Sequence, residues 1–259
     1  MNADNPKALA AQSWLGYGNW DAPYWFVGME PGGTDDDASY ETWAQLGGTE
    51  LIDCREHHLA SNCTKWHCGD RPPTQSTWRR LIQLVLSNEG KPYNIDAVRA
   101  YQRWKWGALK GDIASVWVSA LHARNLATEV SRGLHREQRV ATIRERLAKY
   151  RPKFVVFYGT TYVAIYESIA GHVFENGYAW HDATLCVLVP HPTAGRPPRP
   201  DTWWVERGQE IRTVLESGSL PARAQNRDDE PGTGDYRPED VIRLLVDRNP
   251  KQDKSKSRR

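Results

Sequence analysis

The chain has 259 residues, 39% of them hydrophobic and 12 of them Trp, which is enough apolar material for one sizeable core. The formal net charge of only +2 neither requires nor excludes a nucleic-acid partner. No apolar run approaches the roughly 20 residues that cross a bilayer, and the first residues lack the charged-then-apolar pattern of a secretory signal. Together with the four cysteines, these features predict a cytoplasmic protein with no membrane contact.

The first predicted strand, residues 24–27, ends in a turn that carries a carboxylate. Its sequence, YWFV, is an uninterrupted apolar run of the kind that forms a strand buried on both faces. The next residues, GMEPGG at 28–33, cannot continue a strand, because Pro31 has no backbone N–H and glycines favour turns. Glu30 is therefore predicted at the carboxyl end of a buried strand, where open α/β sheets form their sites. The alternative is an ordinary connection with a solvated Glu.

Residues 50–70 hold three of the four cysteines and three of the eight histidines. Their C-x2-H, C-x3-H and C-x4-C spacings (Cys54 to His57, Cys63 to His67 and Cys63 to Cys68) suit a zinc ion, and we predict a structural zinc that braces this insertion. The candidate ligands are Cys54, His57, Cys63 and Cys68. A polar insertion with free thiols is the alternative. A four-cysteine iron–sulfur cluster is disfavoured, because the remaining cysteine, Cys186, falls within a predicted buried strand.

Strands and helices alternate along the rest of the chain. Apolar runs predict strands at residues 115–121, 154–158 and 185–189, and helical spacing predicts helices that end near residues 43, 86, 106, 150, 170 and 215. Thr74 is the predicted N-cap of the second helix. The alternation predicts an α/β fold with three layers, α/β/α, around a central four-stranded parallel sheet.

The predicted domain covers residues 1–216, with residues 1–23 as a loosely ordered lead-in and residues 50–70 as an insertion. Residues 217–259 are rich in Gly, Pro and charged residues. They are predicted to form a flexible linker, a short helix at 238–246 and a basic disordered tail.

The predicted topology brings four turns to one edge of the sheet, because the carboxyl ends of parallel strands share an edge. These turns are residues 28–33, 119–125, 159–161 and 191–196. They contain Glu30 and His191, an acid and an imidazole that suit acid–base or charge-stabilising chemistry. They also contain Ser119. No strand is followed by a dinucleotide or P-loop glycine pattern, which disfavours both nucleotide-binding classes.

At these residues the chain resembles the uracil-DNA glycosylase superfamily. GMEPGG at 28–33 is similar to the family's first motif, Gly-x-(Asp/Asn/Glu)-Pro-Gly, and closest in form to its single-strand-selective monofunctional branch. HPT at 191–193 is similar to the second motif, His-Pro-Ser, after the last strand. RPPTQSTWRRL at 71–81 looks like the Pro-rich loop with which many members grip the DNA backbone. The three motifs occur in the family's order, and the family's three-layer fold agrees with the predicted elements.

The resemblance implies that Glu30 and His191 carry the chemistry. Breaking an N-glycosidic bond builds positive charge on the deoxyribose and negative charge on the departing base. Glu30 would activate water and offset the charge on the sugar, while His191 would donate to a carbonyl oxygen of the base. No cofactor is required for this chemistry. Neither motif contains a lysine, so a Schiff-base lyase step is disfavoured and the enzyme is predicted to be monofunctional.

The resemblance also implies the surfaces that hold DNA. Arg196 is the candidate wedge that fills the gap left by a flipped-out base. Tyr40 and Trp43 are candidates for the ring that stacks on that base, with core packing as the favoured role of Trp43. The other expected base contacts are Gly28, Met29 and Ser119. The expected phosphate contacts are Pro72, Pro73, Thr74 and Ser76.

Ser119 stands where the family usually places an Asn that reads the uracil edge, with His122 and Asn125 as alternatives. Without that amide, the expected substrate is uracil or a modified pyrimidine, including the hydroxymethylated or glucosylated cytosines of phage DNA. The sequence therefore predicts a monomeric, DNA-binding glycosylase of base excision, in DNA repair or in anti-phage defence. The alternatives are a non-catalytic DNA-binding module of the same fold and a nucleoside or small-molecule hydrolase.

Overall fold

A mixed sheet lies at the centre of the computed structural model, which describes residues 5–29, 31–32, 37–119, 121–122, 133, 135–195 and 197–221. Within these residues the strands are β1 Gly16–Tyr17, β2 Tyr24–Gly28, β3 Leu51–Ile52, β4 Ile113–Trp117, β5 Phe154–Tyr158, β6 Tyr178–His181 and β7 Thr184–Val189. They form a seven-stranded sheet in the order β3-β1-β4-β2-β5-β7-β6.

Helices connect and cover these strands. They are α1 Pro6–Ser13, α2 Asp37–Gln45, α3 Cys54–Ala60, α4 Ser76–Asn88, α5 Ile95–Trp104, α6 Arg136–Tyr150, α7 Val163–Ala170 and α8 Asp201–Ser217. Two short 3₁₀ turns lie at Thr64–Trp66 and Thr160–Tyr162. None of the helices in the described residues is long and apolar enough to cross a membrane.

The four predicted strands form the centre of the sheet. β4, β2, β5 and β7 are neighbours in that order and run parallel to one another. The α/β class is therefore confirmed, but the prediction of four strands is wrong, because the sheet has seven. β1 and β3 extend it beyond β4, and β6 pairs antiparallel with β7 at the other edge. β1 and β3 have two residues each, too few to produce a hydrophobic period.

Both faces of the central strands are buried, as their uninterrupted apolar sequences predict. Side chains alternate between two cores along each strand. On β2, Tyr24 and Phe26 belong to the core that includes side chains of α4 and α8. Trp25 and Val27 belong to the core that includes side chains of α6 and α7. Residues at strand ends therefore have a defined face, which decides which of them meet at the sheet edge.

The N-terminal segment is ordered, so the prediction of a loose lead-in is wrong for residues 5–23. Asn5 caps α1 by accepting from the Ala8 N–H at 3.2 Å, and Pro6 occupies a favoured first-turn position. Trp14 is fully buried and donates its indole N–H to the Gly16 carbonyl at 2.9 Å. The large apolar area of Trp14 stabilises this segment against the domain.

Two predicted boundaries also shift. β4 spans Ile113–Trp117 instead of residues 115–121. The N-cap of α4 is Gln75 and not Thr74, since the Gln75 side chain accepts from the Trp78 N–H at 2.7 Å. The helix predicted at 238–246 and the basic tail lie outside the described residues.

A buried arginine fixes the end of β4. Arg139 on α6 is 1% exposed and donates to the carbonyl oxygens of Trp117 and Val118, each at 2.8 Å, and of Ala11 at 3.2 Å. Burial lowers the pKa of its guanidinium, but arginine stays charged at neutral pH. Charge-assisted bonds of this kind are stronger than neutral ones, so Arg139 holds the segment that leads to Ser119.

Candidate functional site

The two motif turns lie on either side of one strand. β5 pairs with β2 on one side and with β7 on the other, all in parallel. Val27 pairs with Phe157, and Tyr158 pairs with Val189. The residues that follow β2 and β7 therefore leave the same edge of the sheet, with the end of β5 between them. This arrangement fits the predicted convergence of turns.

The ring of Tyr158 crosses from β5 to the end of β2. A Cβ at Gly28 would overlap the Tyr158 ring, so only a glycine leaves room for the ring in this place. Gly28 and Tyr158 are neighbours in register and point to the same face of the sheet. The first motif therefore begins with a glycine because an aromatic side chain of the neighbouring strand occupies the space above it.

The same ring meets the imidazole of the second motif. The ring centroids of Tyr158 and His191 are 5.6 Å apart at an angle of 55°. Gly159 donates its N–H to the Val189 carbonyl at 2.9 Å, which keeps the end of β5 next to the start of the His191 turn. Tyr158 thus contacts both motifs and joins them into one site.

Thr193 determines the tautomer of His191, that is, which ring nitrogen carries the proton. Its backbone N–H lies 3.3 Å from Nδ1 of His191, and its hydroxyl oxygen lies 3.0 Å from the same atom. A backbone N–H can only donate, so Nδ1 accepts and the neutral ring carries its proton on Nε2. His191 is exposed on its outer side, yet protein atoms around the ring desolvate it and lower its pKa. The site therefore presents a neutral imidazole whose ring donor is Nε2–H.

Arg80 fastens the His191 turn to α4. Its Nη1 donates to the Pro192 carbonyl at 2.7 Å, and its Nε lies 3.8 Å from the Asp201 carboxylate. Arg79 donates from Nη2 to the same carboxylate oxygen of Asp201, Oδ1, at 3.0 Å. Because α4 follows the Pro-rich loop directly, this bond connects the second motif to the predicted DNA-contacting segment. Sequence reasoning missed this role of Arg80. The sequence feature that indicates it is the pair of adjacent arginines, Arg79 and Arg80, after the Pro-rich loop.

The end of β4 borders the first motif. Ser119 donates its N–H to the Met29 carbonyl at 2.6 Å, next to the position of Glu30. Ser119 is 2% exposed, and its Oγ lies 3.4 Å from the Leu121 N–H. The Tyr40 hydroxyl lies 3.3 Å from the His122 N–H. Ser119 and Tyr40 thus both lie near the end of β4.

The candidate stacking rings are not open at the surface. Tyr40 is 0% exposed and Trp43 is 3% exposed. Tyr158 is 8% exposed and lies directly beside His191. Sequence reasoning missed Tyr158, although its place as the last, aromatic residue of the FVVFY strand before Gly159 is a usable signal.

Several predicted site residues lie outside the described part of the chain. They are Glu30, Asn125 and Arg196. The residues on either side of Glu30, Met29 and Pro31, are both buried. In the Pro-rich loop, Pro73 and Ser76 are exposed, Thr74 is half-buried and Pro72 is buried.

A second group of functional side chains lies in the Cys/His-rich insertion. One ligand atom each from Cys54, His58 and His67 lies within 4.8 Å of the other two. The Cys54 Sγ is 3.9 Å from Nδ1 of His58, which in turn is 2.9 Å from Nε2 of His67. Burial lowers the pKa of His58 to about 3 and that of His67 to about 4, so both rings are neutral. Burial also raises the pKa of the Cys54 thiol.

This group differs from the predicted ligand set of Cys54, His57, Cys63 and Cys68. His57 turns away, with Nδ1 2.8 Å from the Tyr17 hydroxyl and Nε2 3.0 Å from the Ser39 carbonyl. Cys63 is half-buried and Cys68 is exposed, and neither belongs to the group of three. Cys54 and His58 are four residues apart on α3 and share one face of that helix.

No protein-family model matches the sequence, and no curated protein matches it significantly. The motifs and the geometry of the sheet edge are therefore the basis for a functional proposal.

The contact between Gly28 and Tyr158 predicts an asymmetric response to two similar substitutions. In Gly28→Ala the new methyl group overlaps the Tyr158 ring and must displace it, which costs about 1–3 kcal/mol of unfolding free energy. In Gly32→Ala the new methyl group meets no atom within 4 Å, so the change stays within about 0.5 kcal/mol. Chemical denaturation of both variants and the parent measures the difference. Equal stabilities of the two variants would show that Tyr158 does not lie against Gly28.

Proposed function

We propose that this chain is a monofunctional DNA glycosylase that hydrolyses the N-glycosidic bond of a flipped-out uracil or modified pyrimidine and leaves an abasic site. The observation that carries the proposal is the contact of one ring, Tyr158, with Gly28 of the first motif and His191 of the second. An acid-bearing turn and an imidazole-bearing turn at one sheet edge are what such a reaction needs.

The chemistry divides between the two turns. As the bond breaks, positive charge develops on the deoxyribose, where the Glu30 carboxylate offsets it and orients the attacking water. Negative charge develops on the base, whose carbonyl oxygen accepts from Nε2–H of His191. A neutral donor suits this step, since Nε2–H can stabilise the leaving base while the unprotonated Nδ1 keeps its hydrogen bond from the Thr193 N–H, which orients the ring. The hydrogen bonds from Thr193 to Nδ1 support this tautomer.

The small residue at position 119 is compatible with a pyrimidine that carries added bulk. Ser119 is smaller than the Asn of the resembling family, and its backbone is held against Met29. Its hydroxyl can donate or accept one hydrogen bond but cannot make the paired contacts of an amide. Hydroxymethylated or glucosylated cytosine is thus a candidate substrate beside uracil. The reaction would serve DNA repair or defence against phage DNA that carries such bases.

DNA would approach along the start of α4. Pro73 and Ser76 are exposed there, and the first turn of a helix offers N–H groups that favour a phosphate. Arg79 and Arg80 are engaged with Asp201, so this grip relies on the backbone and hydroxyl groups more than on cations. Such contacts position DNA without reading its sequence.

The central experiment measures base release from defined DNAs. Single- and double-stranded oligonucleotides carry uracil, hydroxymethyluracil, hydroxymethylcytosine or glucosylated cytosine, alkali cleavage reports abasic sites, and mass spectrometry identifies the released base. Glu30→Gln is expected to lower the single-turnover rate by about 10²–10⁴-fold and His191→Gln by about 10²–10³-fold. The matched exposed controls, Glu216→Gln and His172→Gln, are expected to keep the parent rate.

Other outcomes would contradict the proposal in distinct ways. Binding of DNA by the parent protein without release of any base would indicate a binding module. Turnover of free nucleosides, with little salt-sensitive affinity for DNA, would indicate a small-molecule hydrolase.

The tautomer of His191 also predicts a pH dependence. Burial lowers the pKa of His191 below its ordinary value of about 6.5, so the neutral, active form persists through neutral pH. As pH falls through the lowered pKa, a proton is added at Nδ1, which faces the Thr193 N–H, and the rate is expected to fall. Single-turnover rates between pH 8 and pH 5 test this, with circular dichroism as a check on folding. The rate of the His191→Gln variant should not show this fall that is due to His191. A parent rate that rises as the pH falls would contradict a neutral donor.

A further inference from the structure

The Cys/His group has distances close to those of a metal site. A tetrahedral zinc ion with Zn–N of about 2.0–2.1 Å and Zn–S of about 2.3 Å separates two nitrogens by about 3.3 Å and a nitrogen from a sulfur by about 3.6 Å. The observed separations are 2.9 Å between His58 and His67 and 3.9 Å between Cys54 and His58. Small side-chain movements would therefore accommodate the ion. A direct hydrogen bond between the two imidazoles is the alternative.

His58 is oriented as a metal ligand would be. Its Nε2 lies 3.4 Å from the Tyr17 hydroxyl, which leaves Nδ1 facing Cys54 and His67. Tyr17 is in turn held by His57 at 2.8 Å. The indole of Trp78 is stacked on His58 at an interplanar angle of 13°. Ligating histidines typically make such an outer hydrogen bond through the nitrogen that does not bind the metal.

Cys63 is the candidate for the fourth ligand. Its backbone N–H donates to the His58 carbonyl at 2.7 Å, just after the end of α3, so its backbone lies next to a residue of the group. The four residues have the spacing C-x3-H-x4-C-x3-H. Two thiolates and two imidazoles are a donor set that selects zinc in a closed structural site.

A buried glutamine connects this region to the Pro-rich loop. Gln102 on α5 is 0% exposed. Its Nε2 donates to the carbonyls of Trp66 at 2.8 Å and Pro73 at 3.1 Å, and its Oε1 accepts from the Gln75 N–H at 2.9 Å. Trp66 directly precedes His67. A metal ion that fixes His67 would therefore also fix the Trp66 carbonyl, to which Gln102 donates while it holds the loop.

We propose that Cys54, His58, Cys63 and His67 bind one Zn²⁺ ion, which supports the Pro-rich loop through Trp66 and Gln102. The ion is structural, because all four positions are filled by protein ligands. The site itself does not depend on the glycosylase proposal. Only the consequence for DNA binding rests on that proposal, because it assigns the loop to the phosphates.

Metal content tests the site without any activity measurement. The full chain, purified under reducing conditions with added zinc, is expected to contain one zinc per chain by mass spectrometry. Cys54→Ala, His58→Gln, Cys63→Ala and His67→Gln are each expected to weaken zinc binding at least tenfold. Cys68→Ala is the matched control and should keep the parent zinc content, since Cys68 is exposed and outside the set. A parent protein without zinc, or loss of zinc in Cys68→Ala but not in Cys63→Ala, would overturn the assignment.

Metal exchange in the parent protein covers the case in which a ligand variant fails to fold. Removal by a chelator and reloading with Co²⁺ should produce the visible absorption of a tetrahedral cobalt site together with thiolate-to-cobalt charge transfer. An octahedral cobalt spectrum, or none, would contradict the proposal.

Hydrogen exchange tests the support of the loop. The Gln75 amide is bonded to Gln102, and its exchange is expected to become at least tenfold faster when the metal is removed. Unchanged exchange would refute the support role. Because none of these three readouts uses base release, a failure of the glycosylase proposal would leave the metal result interpretable.

Discussion

The missing side chain at Gly28 is the constraint on which the site depends. It lets the Tyr158 ring cross from β5 to the end of β2, where any Cβ would collide with it. On its other side the ring meets His191, which follows β7. Three parallel strands are therefore joined at their carboxyl ends by one aromatic side chain. The ends of β2 and β7, which strand pairing brings to one edge of the sheet, are thus also linked by side-chain packing.

Two buried arginines hold the surroundings of this contact. Arg139 donates to the carbonyls of Trp117 and Val118 at the end of β4, and Arg80 donates to the Pro192 carbonyl in the His191 turn. Burial lowers the pKa of both guanidiniums, yet arginine remains charged near neutral pH. Strand ends and turns expose carbonyls that have no partner in the sheet, and these arginines satisfy them from neighbouring helices. The arrangement fixes turns that would otherwise be free to move.

β2 and β5 were predictable because each is an uninterrupted apolar run, and α6 follows directly from helical spacing at Arg136–Tyr150. β1 and β3 were not, because two residues carry no period and their pairing is decided by tertiary contacts. The cap of α4 differs because Gln75, which is not a preferred capping residue, is held in place by Gln102.

The site residues divide in the same way. Local sequence patterns predict some of them, and tertiary contacts alone reveal the others. Turn chemistry and strand order pointed to Ser119 and His191, but Tyr158 emerges only when the register of β2 and β5 is known. In the insertion, spacing alone does not distinguish His57 from His58, since both lie one turn from Cys54 on α3. Their roles separate because Tyr17 and Ser39 engage His57, while His67 lies opposite His58.

The most direct test of the shared site is titration of the His191 imidazole by NMR in the parent protein and in Tyr158→Leu, with the exposed Tyr93→Leu as control. The account predicts a His191 pKa below the ordinary value of about 6.5 in the parent and in Tyr93→Leu, because protein atoms desolvate the ring. It predicts a rise toward that value in Tyr158→Leu, as water reaches the ring. An identical His191 titration in all three proteins would contradict the claim that Tyr158 joins the two motifs.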